Sequence, residues 1–169
     1  MNRNQAIKII VGLLLFVSSS LAVSEDWTFV ADTQRFGVRL FLVPDADAFI
    51  EMWSKPEPPK ITLFSKAKIN TQFAGAILYW GGGIDENGNC NIQLQAQVLE
   101  KGKVLARGPE MPVCQDHAPP PSGVLALSDT MTVLITSGEP ANLMVQVTVT
   151  DKINNEKLLV KAPIEVLSE

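Results

Sequence analysis

Apolar and polar residues alternate with a period of two over most of the chain beyond residue 35. In Phe36-Gly37-Val38-Arg39-Leu40-Phe41-Leu42 the even positions are apolar. In Ile92-Gln93-Leu94-Gln95-Ala96-Gln97-Val98 three glutamines alternate with four apolar residues, which predicts a strand with one wet and one buried face. Leu143, Val145, Val147 and Val149 alternate with Gln146, Thr148 and Thr150, and Val160, Ala162, Ile164 and Val166 continue the pattern near the end of the chain. Residues 73–80 and 131–136 read as further strands, and 27–31, 61–64 and 104–107 as shorter ones. Glu100-Lys101-Gly102-Lys103 is a glycine-containing tight turn between two such runs. Residues 85–89 and 151–157, rich in Asn and Gly or Asn alone, separate other strands, and 117–123 reads as a surface loop because proline has no N–H to give a ladder.

One stretch has a different period. Asp45 is a good helix N-cap, and Ala46, Phe49, Ile50 and Trp53 follow at i, i+3, i+4 and i+7. A short helix over 46–54, stopped by Pro56, is expected to dock on the strands. Seven or more short strands with tight turns point to a mostly β fold, a single β-sandwich of immunoglobulin-like type, with a barrel as the alternative.

The first residues bear on compartment. Arg3 and Lys8 precede an apolar run, Ile9 to Val17, which ends in Ser18-Ser19-Ser20-Leu21-Ala22. This is the form of a secretory signal peptide over 1–22, with cleavage after Ala22 or after Ser24. The apolar run is shorter than the roughly 20 residues that span a bilayer, so no stable membrane insertion is expected after its removal. The remainder, 25–169, reads as one domain, with 27–60 an N-terminal strand and helix extension. Without Arg3 and Lys8 the chain keeps 12 basic against 18 acidic residues, a net charge of about −6. That balance excludes the basic footprint of a nucleic-acid binder and the basic face of a helix that lies on anionic lipid. The expected location is the periplasm or outside the cell.

Cys90 and Cys114 are the two cysteines. In an oxidising compartment they read as one disulfide, whose closed loop would restrict the unfolded chain by roughly 3.5 kcal/mol. The segment from Met111 to His117 places Cys114 near a histidine, but a blue-copper centre needs two imidazoles and the chain has one histidine. A zinc site fails the same ligand count. Asp85-x-Asn87-x-Asn89 matches half a calcium loop, then Cys90 stands where glycine belongs and Ala96 where a bidentate glutamate is needed, so a hairpin turn rich in Asn and Gly is the expected reading. Asp45 and Asp47 are better explained as cap and first-turn acids than as an acid/base pair. No mature serine lies in a nucleophile elbow, so no catalytic set and no cofactor is expected.

Trp80-Gly81-Gly82-Gly83 ends a strand with an aromatic and three glycines, a surface where a ligand could approach the backbone or a sugar could stack. With the Pro119-Pro120-Pro121 loop it forms the candidate contact set. Part of the chain, roughly 59–167, resembles a group of small secreted bacterial proteins with immunoglobulin-like β-sandwiches. The resemblance rests on Phe49-x3-Trp53-x2-Pro56-x-Pro58-Pro59, the Gly88-x-Cys90 turn, Lys101-Gly102 and Val147-x-Val149-x-Asp151. It implies a fold and an export route, and no activity or binding residues. The favoured expectation is a non-catalytic exported module that binds or supports another envelope macromolecule. A carbohydrate or weak-calcium module is the alternative, and a hydrolase built on His117 the third.

Overall fold

The computed structural model describes residues 29–57, 60–128, 130–135 and 140–168. The expected signal segment lies outside the described residues. Among the described residues, ten strands, β1 (Val30–Asp32), β2 (Phe36–Val43), β3 (Lys66–Lys68), β4 (Gln72–Gly81), β5 (Asn91–Glu100), β6 (Lys103–Gln115), β7 (Ala126–Leu127), β8 (Met131–Leu134), β9 (Ala141–Asp151) and β10 (Glu156–Leu167), form two sheets with one helix, α1 (Ala46–Trp53). The first sheet runs β1-β2-β4-β7, with β8 also on β4; the second runs β3-β10-β9-β5-β6. The chain is thus a mostly β two-sheet sandwich, as the alternation predicts.

The alternation sets the core directly. Phe36, Val38, Leu40 and Leu42 of β2 face Val145, Val147 and Val149 of β9 and Val160, Ala162, Ile164 and Val166 of β10 within one cluster of buried side chains. β4 shows no such alternation, because it is buried on both faces. Phe73, Ile77 and Tyr79 enter the inter-sheet core, while Ala74, Ala76 and Leu78 meet α1 on the outer side. Two alanines there let the helix come close. Asp45 caps α1 by accepting the Ala48 N–H at 3.0 Å, worth about 1 kcal/mol. Phe49 is buried and its ring stacks on Trp53 at 6.0 Å between centroids. Ile50, expected on the docked face, is instead 41% exposed: the helix presses Phe49 onto the sheet and turns its next residue outward.

Several boundaries differ from the sequence expectation. Residues 61–64 form no strand, although the Phe64 N–H donates to the Leu42 carbonyl at 2.8 Å. The strand there is β3, three residues long, parallel to β10. β6 extends through Gln115, well past Arg107, because residues 110–115 keep pairing with β5 despite Pro109 and Pro112. The turn at residues 85–89 is not a hairpin: β4 and β5 belong to different sheets, so it lies within a crossing between them. The Glu100–Lys103 hairpin is as expected, with Lys101 and Gly102 at φ of 48° and 80°, which only a turn of this hand requires.

Cys90 and Cys114 are joined in a disulfide. Cys114 pairs in register with Ile92, so the bridge ties two neighbouring strands of one sheet at the end opposite their turn. Replacing both cysteines by alanine is expected to lower unfolding free energy by about 2–4 kcal/mol in urea titrations. The chain's one tyrosine, Tyr79, is buried, and burial raises its hydroxyl pKa above 10.0. Its ultraviolet ionisation should therefore come later than in the unfolded chain, and stability should fall as pH rises beyond 10.0, where the unfolded state loses the proton first.

Candidate functional site

The residues singled out by sequence meet at one pole of the sandwich. Here β2 begins, β4 ends, β6 ends and the β9–β10 turn passes. The Gly81 N–H donates to the Pro120 carbonyl at 2.9 Å, which seats the proline loop against the end of β4. The Gly82 N–H donates to the Arg35 carbonyl at 2.9 Å. The Cys90 N–H donates to the His117 carbonyl at 2.8 Å, so the disulfide anchors the other end of the same loop. The two candidate patches, Trp80 to Gly83 and Pro119 to Pro121, are thereby one surface.

The glycine run is dictated by backbone. Gly81 has φ of 70° and a Cβ there would stand 2.0 Å from the Arg35 carbonyl oxygen. At Gly82 and Gly83 a Cβ would meet Ile92 at 2.7 Å and Ile153 at 2.8 Å. These three positions are closed by protein, not left open for a ligand. The group that organises them is one the sequence reading passed over. Asp151, fully buried, accepts the Gly83 N–H at 2.6 Å, the Ile153 and Asn154 N–H groups at 3.0 and 3.3 Å, and the Asn154 side-chain amide at 3.0 Å. A buried carboxylate is tolerable only with such a set of donors. The available signal was an aspartate at the strand end before Asn154-Asn155, which also fits an ordinary turn.

Trp80 is half-buried on the outer side of the first sheet. It pairs across the strands with Gly37, and a Cβ on Gly37 would lie 2.2 Å from its Nε1. The indole therefore lies over the Gly37 backbone and shields it. The Asp85–Asn89 turn is separately closed: Asp85 Oδ1 accepts the Asn87 and Asn89 N–H groups at 2.8 and 2.9 Å.

His117 is exposed, with Nδ1 2.9 Å from the Ala118 carbonyl and 3.6 Å from Cys114 Sγ. A carbonyl only accepts, so Nδ1 carries the proton. Cys90, Cys114 and His117 have ligand atoms within 4.8 Å of one another, but both sulfurs are committed to the disulfide. Among the described residues, no carboxylate lies within hydrogen-bond distance of His117, the neighbour a hydrolytic reading requires.

A second feature escaped sequence reading altogether. The inner face of β5 was expected to be buried throughout, yet Ile92 and Leu94 are buried while Ala96 and Val98 are only half-covered. The first sheet ends on this side in two short strands, β7 and β8, and does not reach over β6. A cleft of about 420 Å³ results between the β5–β6 hairpin and β8. A neighbouring depression of about 580 Å³ lies among Ile50, Met111, Leu127, Ser128 and Thr130. Small residues in β5 and β6, Ala96, Ala106 and Gly108, were the sequence sign.

No protein-family model matches the chain, and neither does any curated protein. Among solved structures it is similar to a Niemann-Pick type C2 protein from the Japanese carpenter ant, at 12% identity, TM-score 0.44, covering 84% of this chain and 94% of that one. It is also similar to the PmoD soluble domain of a Methylocystis species, at 8% identity and TM-score 0.38, covering 83% and 98%. A family 123 glycoside hydrolase from Clostridium perfringens matches at 12% identity and TM-score 0.44 over 78% of this chain, which spans 28% of that enzyme. Among the described residues no helix is long and apolar enough to cross a membrane.

Replacing Asp151 by alanine is expected to cost about 3 kcal/mol, read as a lower urea midpoint, since the buried Gly83 N–H and three part-buried donors of Ile153 and Asn154 lose their acceptor. Gly81→Ala should destabilise by about 1–3 kcal/mol in the same assay, through the strained φ and the contact with Arg35.

Proposed function

We propose that this chain is an exported, non-catalytic binding module of the cell envelope, which holds another macromolecule through the loop surface at the Gly81–Pro120 pole. The observation that carries the reading is the hydrogen bond from Gly81 to the Pro120 carbonyl, which makes one surface of two separate segments. Around it stand apolar side chains in water: Ile84 is 58% exposed, Val124 55% and Ile153 37%. Aliphatic groups so exposed, held on a backbone fixed by Asp151 and a disulfide, suit a contact surface that loses little entropy on binding. The disulfide supports an oxidising compartment, and the form of the first 22 residues supports export.

Loop recognition is preferred to strand addition at the sandwich edge. On β6 Pro109 and Pro112 offer no N–H, and its register with β5 shifts three times. Prolines and bulges are how edge strands are blunted against further pairing. The carbohydrate alternative draws on the half-exposed indole of Trp80, but that ring already covers Gly37.

The test is cross-linking in the native envelope, comparing the natural protein with Ile84→Asp and Val124→Asp. Both side chains are exposed, so melting temperature should stay unchanged. A partner whose cross-links map to 81–84 and 119–124 and that both variants lose would support the reading. A partner retained at full yield by both variants, or cross-links confined to other faces, would overturn it.

A further inference from the structure

The geometry points to a second binding site, independent of the pole: the inter-sheet cleft beside β8 takes a small, uncharged, largely aliphatic molecule. Its volume of about 420 Å³ falls in the roughly 300–1,000 Å³ range of small-molecule sites. Both sheets wall it, with Leu94 and Val98 on one side and Met131 and Val133 on the other, and Met111 from the edge strand. Leu134, at its rim, is 52% exposed.

Charge decides the class of ligand. Among the described residues Arg107 is the one ionisable member of the lining. It pairs in register with Gln97, on the face of β5 opposite Ala96 and Val98. With the Gln97 amide oxygen turned toward it, the guanidinium donates through Nε at 3.1 Å and Nη2 at 3.2 Å. The guanidinium is thus held on the outer side, and Arg107 borders the cleft where its strand passes. Among the described residues no acid lines the space. An ion entering would lose its water without gaining a counter-charge, a cost of several kcal/mol, whereas a hydrocarbon gains about 0.8 kcal/mol for each buried methylene.

Two further features fit a small ligand in place of a peptide strand. The β6 border lacks N–H groups at Pro109 and Pro112, and β8 is four residues long, so neither edge offers an extended ladder. The cleft also has adaptable walls. The Met131 side chain lies in the space above Gly75, whose added Cβ would stand 2.2 Å from the Met131 methyl. Thioethers such as Met111 and Met131 reshape around apolar guests at low cost.

The experiment uses the purified protein and the neutral probe N-phenyl-1-naphthylamine, with tetradecanol and tetradecanoate as competitors. Saturable probe fluorescence is expected, displaced by tetradecanol at least about tenfold more effectively than by the carboxylate. Ala96→Phe fills the space and should weaken probe binding by at least about tenfold without lowering the melting temperature. Should that variant fail to fold, Ala106→Phe is read in the same way. Absence of saturable binding, equal displacement by the carboxylate, or unchanged binding in a folded cleft-filling variant would each overturn the inference. Ile84→Asp, which tests the pole, should leave probe binding unchanged, so the two sites fail or stand separately.

Discussion

The architecture of one whole pole depends on a carboxylate that water does not reach. Asp151 ends β9, and its two oxygens collect four N–H donors from the exit of β4 and from the β9–β10 turn. β4 and β9 lie in different sheets, so this one side chain couples the sheets where the hydrophobic core gives out. The glycine run, the Arg35 carbonyl and the proline loop then follow in sequence, each fixed by the hydrogen bond of the last. The same economy explains why three consecutive glycines appear here: the backbone passes so near Arg35, Ile92 and Ile153 that side chains have no room.

The two surfaces singled out for binding differ in physical kind. The pole is built of loops tied by backbone hydrogen bonds, with isolated aliphatic side chains exposed on them. The cleft is concave and soft, walled by methionines and lined by residues that are small for their place. One is suited to matching another surface, the other to enclosing a molecule. The division arises from topology: at the pole the chain crosses between sheets and is drawn tight, whereas along the β6 side the sheets have unequal widths and leave a gap.

Much of this fold is legible in the sequence wherever a strand has one wet face. β2, β5, β9 and β10 announce themselves by alternation, and the alternating residues are the core. The signal fails where burial is two-sided, as in β4, or where a strand overhangs its partner sheet, as in β6, whose residues are mostly exposed and follow no period. It fails too at β3, three residues whose existence depends on parallel pairing with a strand nearly one hundred positions away. The pole was half legible. Its residues stood out by composition, but their meeting depends on Asp151 and on long-range backbone bonds that no local pattern encodes. The cleft is a property of what is missing from the facing sheet, and β5 alone cannot tell whether its last inner residues are covered.

The disulfide and the Lys101–Gly102 turn sit at opposite ends of the same pair of strands. β5 and β6 are therefore a covalently closed ring, pinned by a bond at one end and by the continuous chain at the other. A ring cannot exchange its edge strand with a second copy, because neither end can be released while the bridge lasts. The side of the sandwich that carries the cleft is in this way closed against exchange of β6 alone, with the register shift at Gly108 and Pro109 lying between its two pinned ends.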